Sequence, residues 1–530
     1  MTHDVILTFV KNRLLPLFVF LLAAAPLLSV EQKQVFSSVY PIVKKYKSME
    51  GPAGVQTIYL GDRTKPQLLW LTAIKTEVVG ADGKTLMSPE LMCHMNVDID
   101  PARHKALFNL KRYPAARLMT ISQGMRVPGG GFAARLPEGF AFPIASNEPL
   151  YVMTQVLNHN IEHPKNLNVR HRVTFEFVRD RDLEQHPMPL FNLGISGMVQ
   201  MTMTGVAPPP SAATAGEGAG ATHGASCLIG MRAPNATGMS SDYVDPQGRH
   251  LTGHWVVPPG KQVNTNDVTW FMNLPYDAKL HYAAVHLHPY AQSLTLRDAT
   301  SGTVVFKAEA KNPKGRIGLD RVDAFISLAG VPIYKEHKYE LISVYNNPTK
   351  QNADSMASMF LALDDPEFVA PTTVELAERA VTIVNGSGLV LRTSSGDLGA
   401  MLANNPTSVQ FAKLIAQGAF RDTEAKFTDS TITFTAKLTI PEIPREANNE
   451  HVPGVISLCR TEDEVSVVIV TRKSPELDSR CTVFAQIGPG AEVVRAMTAS
   501  GSGKLVAAEI LSGPELNELT LAPAKKVASR

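Results

Sequence analysis

The sequence predicts a mainly β protein in about three units: two β-sandwiches, then a smaller unit that mixes strands with two helices. Three observations predict it. A chain of 530 residues is too long for one hydrophobic core. From about Phe36 to Met203, short apolar runs alternate with turn residues and helical periodicity is scarce. After Pro371 the texture changes to hairpin-like runs and a capped helix. The composition, 44% hydrophobic and 19% charged, is that of a folded chain. A net charge of +2 with no long basic run excludes a nucleic-acid footprint. Four cysteines, Cys93, Cys227, Cys459 and Cys481, are too few for a disulfide-built scaffold.

At the N-terminus, Lys11 and Arg13 precede an apolar run from Leu14 to Val30. Residues 1–30 read as a secretory signal or an N-terminal anchor. Pro16 and Pro26 weaken a spanning helix, no cleavage site is clean, and no cysteine lies there to carry a lipid. The expectation is an exported protein that meets a membrane only through this segment.

Residues 36–206 form the first expected sandwich. Gln67–Ile74 and Val173–Val178 read as strands, and Ala81–Lys84 and Pro128–Gly131 as turns. Two further runs carry chemistry: Leu91–Val97, with Cys93 and His94 side by side, and Val152–Asn160, with His159 near its end. Residues 207–225, rich in Pro, Ala, Gly and Thr, cannot build a core and read as a linker. The second expected sandwich spans 226–370. His254 starts a strand before a turn and reads as structural.

The central stretch is Ala283-Ala284-Val285-His286-Leu287-His288-Pro289-Tyr290. In a strand, residues i and i+2 share a face, so His286 and His288 project side by side at a separation that suits one metal ion. Downstream, Asn352–Leu363 reads as a strand with Met356 facing inward and Met359 on the other side. Two imidazoles and a thioether suit copper, because a soft sulfur disfavours Mg or Ca.

On these residues the chain resembles the copper type II, ascorbate-dependent monooxygenases, the family of peptidylglycine hydroxylating monooxygenase and dopamine β-monooxygenase. The resemblance covers about residues 36–366. It implies two jelly-roll β-sandwiches, with His286, His288 and Met356 as ligands of the oxygen-binding copper. In that family a His-His pair and a later histidine hold a second, electron-donating copper. Here Cys93 and His94 stand at the pair, and Leu157 stands where the third ligand belongs, with His159 two residues on. A second site of Cys93, His94 and His159 therefore departs from the pattern but is chemically able to hold copper; one copper per chain is expected, with two as the alternative. The family also implies a small-molecule or peptide substrate, and the N-terminal segment makes the expected location periplasmic or secreted.

In the third unit, residues 380–520, Gly388–Leu398 opens as a hairpin. Asn405-Pro406 caps a helix with Asn at N-cap and Pro at N1; Val409, Ala412, Leu414 and Ile415 form its apolar face, and Gly418 ends it. With Glu446–Leu458, Ser474–Ile487 and a closing helix from Ala491 to Met497, residues 386–512 resemble a cyclophilin, a peptidyl-prolyl isomerase. That implies a β-barrel with two helices and a polypeptide partner. The family's arginine, which polarises the prolyl amide, is replaced by Phe427; Thr435 falls near its glutamine; Cys481 replaces a pocket His or Tyr; and Val467-Val468-Ile469 replaces the aromatic floor. Without a guanidinium the twisted amide has no strong charged donor, so the resemblance implies a fold that has lost most catalysis. Whether Cys459 and Cys481 pair is left open.

Three functions follow from these readings. The first is an exported copper-binding protein with a catalytically degenerate cyclophilin-like domain. The others are an active copper monooxygenase hydroxylating a C–H bond, and a prolyl isomerase or envelope docking factor.

Overall fold

Strict alternation builds the first sheet. Along the Leu167–Arg179 strand, Val169, His171, Val173, Phe175 and Phe177 are buried, and the residues between them are half-covered. This strand pairs antiparallel with Leu68–Gly80 over most of its length. The computed structural model describes residues 30–200, 242–382, 387–438 and 450–512, apart from single positions 47, 49, 64, 129, 404 and 489. The expected signal segment up to residue 29, the linker 207–225 and the run 446–449 lie outside the described residues.

The first sandwich packs this sheet on a four-stranded one ordered Ala53–Ile58, Leu150–Val156, Met92–Asp98, Arg117–Ser122. Ile74, Val97, Ile121, Phe132 and Phe175 fill the space between. In the second sandwich one layer is ordered Met188–Ser196, Ala357–Asp364, Ala278–Leu287, Phe325–Ile333. The other is ordered Gly260–Asp267, Tyr339–Asn347, Ala291–Asp298, Val304–Lys311, Arg321–Val322.

The two sandwiches share a sheet. Met188 and Pro189 pair in parallel with Phe140 and Ala141, which joins a layer of each into one ten-stranded sheet. The Met188–Ser196 strand precedes the linker, yet it pairs along its length with Ala357–Asp364 of the second sandwich. Its residues serve both cores: Leu190 packs in the first, and Phe191, Leu193 and Ile195 pack in the second.

The C-terminal unit is a closed eight-stranded barrel running from Ser387 to Ser512. Asn405 accepts the Ser408 N–H at 2.9 Å and Pro406 opens the Pro406–Ala416 helix, as expected. Ala412 and Leu414 enter the core, and Val409 and Ile415 sit at its margin. The main anchor of that helix is Phe411, whose ring lies 4.5 Å from that of Phe484. The second helix is Ala491–Ser500. A further helix, Thr373–Thr382, is started by a capping box. The Thr372 hydroxyl accepts the Glu375 N–H, and the Glu375 carboxylate accepts the Thr372 N–H. Leu376 on that helix is buried beside Trp70 and Phe108 of the first sandwich. Among the described residues no helix is long and apolar enough to cross a membrane.

Central strands should carry the stability of the sandwiches. Leu361→Ala, at a position 1% exposed, is expected to cost about 2–5 kcal/mol, whereas Leu328→Ala, at 65% exposure, should stay within about 0.5 kcal/mol. Thermal scans of both variants against the parent check this, and equal shifts would refute the placement.

Candidate metal centre between the two sandwiches

The Ala278–Leu287 strand has two buried faces. Ala283, Val285 and Leu287 point into the core of the second sandwich, and Tyr282 and Ala284 point into the core of the first. His286 follows Tyr282 and Ala284 by the same two-residue step. It therefore faces the first sandwich, where Ser122 donates its hydroxyl hydrogen to the Val285 carbonyl at 2.9 Å. His288 lies just past the strand end and is also buried. The two imidazole centroids are 5.3 Å apart and nearly perpendicular. A metal–nitrogen bond of about 2.0–2.1 Å plus about 1.1 Å to the ring centre sets two imidazoles on one ion about 5.1–5.5 Å apart, at tetrahedral to trigonal angles. The observed spacing fits.

The methionine segment differs from the single strand expected over Asn352–Leu363. It breaks at Met356. Ala353–Ser355 pairs with Trp255–Val257 in a small separate sheet, and Ala357–Asp364 pairs with the histidine strand. Met356 sits where the chain changes partners. His286 pairs with Ser358 and Leu287 with Ala357, so the register continued by one residue sets Met356 opposite His288. Met359 pairs with Val285 and fills the second core, away from the histidines. Met356 and His286 line one cavity of about 10 Å³ together with His94, Arg117, Thr120 and Ser358. That is room for about one water or one ion.

Tyr345 holds the His288 and Met356 segments together. Its hydroxyl donates to the Met356 carbonyl at 2.5 Å and accepts the His288 N–H at 3.4 Å. Burial pushes its pKa upward, so it stays a neutral donor.

The imidazoles are poorly satisfied. Both ring nitrogens of His286 and of His288 lack a hydrogen-bond partner, as do Nε2 of His254 and Nδ1 of His159. The Asp354 carboxylate lies 3.0 Å from His288 Nδ1, at ion-pair distance, without the geometry of a hydrogen bond. Burial, and then the neighbouring His288 and His94, hold the His286 pKa well below its usual value. Burial likewise lowers His254 and His159 to about 4. Neutral imidazoles with open nitrogens are the form a metal requires. His254 stands 6.5 Å from His288 by ring centroid, beyond the spacing two ligands of one ion show.

Of the first-sandwich candidates, Cys93 and His94 are brought together. The pairing of Met92–Asp98 with Leu150–Val156 shifts register between Met92 and His94, a bulge that lets two consecutive side chains approach. His94 Nδ1 lies 3.2 Å from Cys93 Sγ, and that thiol donates to Gln155 Oε1 at 3.7 Å. His159 is not on a strand. The strand expected to reach Asn160 ends at Val156. Asn158 turns the chain, its amide donating to the Lys44 and Ile161 carbonyls and its Oδ1 accepting the Ile161 N–H. The same-face rule therefore does not apply to His159, whose Nε2 lies 3.5 Å from Ser48 Oγ and which has His288 and Asp354 nearby. Leu157 is buried. Among the described residues no three or more His, Cys, Asp or Glu side chains are grouped to hold a metal, a criterion that leaves the Met356 thioether out. Sequence reasoning missed Asp354 and Tyr345. Asp354 could have been noticed two residues before Met356, but nothing local marks Tyr345.

In the barrel, Phe427 is half-buried against the core, and Lys426 and Arg421 are exposed. Thr435 exchanges a hydrogen bond of 2.8 Å with Ser466. Val467 and Ile469 face the barrel interior. Cys459 and Cys481 face each other on adjacent strands and form a disulfide. Residues 407–512 match the family model of the cyclophilin type peptidyl-prolyl cis-trans isomerases. The C-terminal domain is cyclophilin-like. Solved structures similar to this chain include a cyclophilin type isomerase of Cryptosporidium parvum. It is 14% identical, with 24% of this chain and 98% of that chain covered and a TM-score of 0.21. The cyclophilin AquaCyp293 of Hirschia baltica is 12% identical, with 24% and 79% covered and a TM-score of 0.18. No curated protein matches the chain. The family match lies wholly in the barrel and bears on no residue of the two sandwiches.

The lowered histidines predict an acid limit. An unfolded histidine takes its proton near pH 6.5, and folded His254 takes it at about 4. Between these values the unfolded chain holds more protons, so stability present above pH 6.5 is lost as pH falls towards 4, by a few kcal/mol for such a group. Unfolding measured from pH 7 to 4 without added metal should show this fall, with a shallower slope in His254→Gln. An unchanged slope would refute it.

Proposed function

We propose that this is an exported copper-binding protein in which His286, His288 and Met356 hold one copper ion and the cyclophilin-like domain serves as a polypeptide-docking surface. The observation that carries the reading is His286, 6% exposed, with both ring nitrogens unpaired beside the Met356 thioether. Buried polar atoms in native proteins are almost always partnered, and each such orphan costs about 1–3 kcal/mol. An imidazole and thioether donor set answers that cost best with a soft or borderline first-row ion such as copper. Copper bound there supplies one-electron redox chemistry. The chain's own part is to present the neutral His286 imidazole and to fix His288 and Met356 through Tyr345.

In this reading, residues 36–206 and 226–370 are the two jelly-roll units of the copper type II monooxygenase fold. Hydroxylation in that family needs a second copper. Cys93, His94 and His159 are not gathered into one metal-binding group, which supports copper holding over hydroxylation of a small-molecule or peptide substrate. The disulfide Cys459–Cys481 supports export to an oxidising compartment, periplasmic or extracellular, in line with the apolar segment at 1–30.

The domain match also carries an isomerase reading, and the barrel's residues weigh against it. By the sequence resemblance Phe427, which packs against the core, falls at the family's arginine, and Cys481, at its pocket His or Tyr, is bonded to Cys459.

Two outcomes are expected. The purified full chain should carry one copper, and His286→Ala with His288→Ala should remove it by elemental analysis; unchanged copper content in that double variant would sink the assignment. In a protease-coupled assay on a proline peptide, the chain should isomerise at a rate close to the uncatalysed one. A rate like that of an active cyclophilin would overturn the reading of Phe427.

A further inference from the structure

We infer a second binding site, for a small carboxylate with an apolar body, in the cleft where the two sandwiches and the Thr373–Thr382 helix meet. This site is independent of the copper reading. The cleft has a volume of about 360 Å³, within the roughly 300–1,000 Å³ of small-molecule sites, which favour such junctions. Each unit supplies part of its wall: Phe108, Leu110 and Arg112 from the first sandwich, Tyr276 and Asp365 from the second, and Arg379 from the helix. Asp365 follows the Ala357–Asp364 strand and Met356 precedes it, so the cleft and the metal centre stand at opposite ends of one strand.

The polar groups of the cleft are asymmetric. Its buried carboxylate is fully engaged: Asp365 Oδ1 accepts the Tyr276 hydroxyl, and Oδ2 accepts both Nε and Nη2 of Arg112, at 3.1 and 2.9 Å. Both oxygens of Glu375 are engaged as well, Oε1 by Arg379 and Oε2 by Thr372. Lys111 pairs with Glu367 at the exposed rim. Arg112 is different. Its side chain is 9% exposed, and it lies over the Phe191 ring at 4.4 Å. A guanidinium has five N–H donors. Two of Arg112's go to Asp365 and at most a third faces the Tyr276 oxygen, so two remain for a ligand. A buried guanidinium with spare donors calls for an acceptor, and a carboxylate matches its planar geometry and its charge. Asp365 and Glu375 line the same cleft, which favours a singly charged group over a phosphate dianion. The remaining wall, with Phe108, Leu110, Val369 and Pro371, is apolar and suits an aliphatic or aromatic body.

The test uses the full chain and two probes, naphthylacetate and its uncharged amide, naphthylacetamide, with binding followed by naphthyl fluorescence. Naphthylacetate should bind saturably at one site per chain, at least about tenfold more tightly than the amide. Val369→Trp, at a wall position 76% exposed where folding is not at stake, should fill the cleft and abolish binding. Arg112→Gln, folded by circular dichroism, should bind the carboxylate only as weakly as the parent binds the amide. The absence of saturable naphthylacetate binding to the parent, or parent-like binding in Val369→Trp, would overturn the site. Equal affinity of the parent for the amide, or parent-like affinity for the carboxylate in folded Arg112→Gln, would overturn its assignment to a carboxylate.

Discussion

The Ala278–Leu287 strand is buried on both faces, and each face belongs to a different core. An ordinary sandwich strand turns one face to solvent, and polar residues there cost nothing. Here the polar positions have no solvent to face. His286 and His288 are therefore carried into the junction between the sandwiches, where an unpaired nitrogen costs about 1–3 kcal/mol. Retaining two such residues is intelligible if something in the junction repays them. The same constraint explains why the junction holds Arg117, paired with Asp98, and Ser122, bonded to the Val285 carbonyl, instead of loose polar groups.

Position at this junction is set by interruptions of regular structure. Met356 reaches the site because its segment changes sheets there, so the residue between two pairings is free of either ladder. His94 reaches it through a bulge. His288 lies one residue past a strand end. Tyr345, which lies on a regular strand of the opposite layer, bonds the backbones of His288 and Met356 and turns three local irregularities into one fixed arrangement.

The barrel separates an apolar interior from its outward residues. Val467 and Ile469 keep the interior apolar, and Ser466 between strands bonds to Thr435 outside that core. Because inward and outward residues alternate along each strand, the outward set can change while the core is kept. Phe427 packs at the margin of that core, and Cys459 and Cys481 join two adjacent strands.

Much of this was legible in the chain. Periodicity marked the Leu68–Gly80 and Leu167–Arg179 strands, Asn405-Pro406 marked a helix start, and the His-x-His spacing marked two neighbouring imidazoles. Each of these is local, decided by residues within a few positions of each other. What covers a face is not local. The sequence could not assign the Met188–Ser196 strand to the second sandwich, end the Leu150–Val156 strand before His159, or break the methionine strand at Met356. Nor could it set His94 beside His286, some 190 residues apart, or pair Cys459 with Cys481. By itself the sequence determined which side chains share a face. Only the tertiary structure decided which faces meet, because burial between two sheets depends on packing partners remote along the chain.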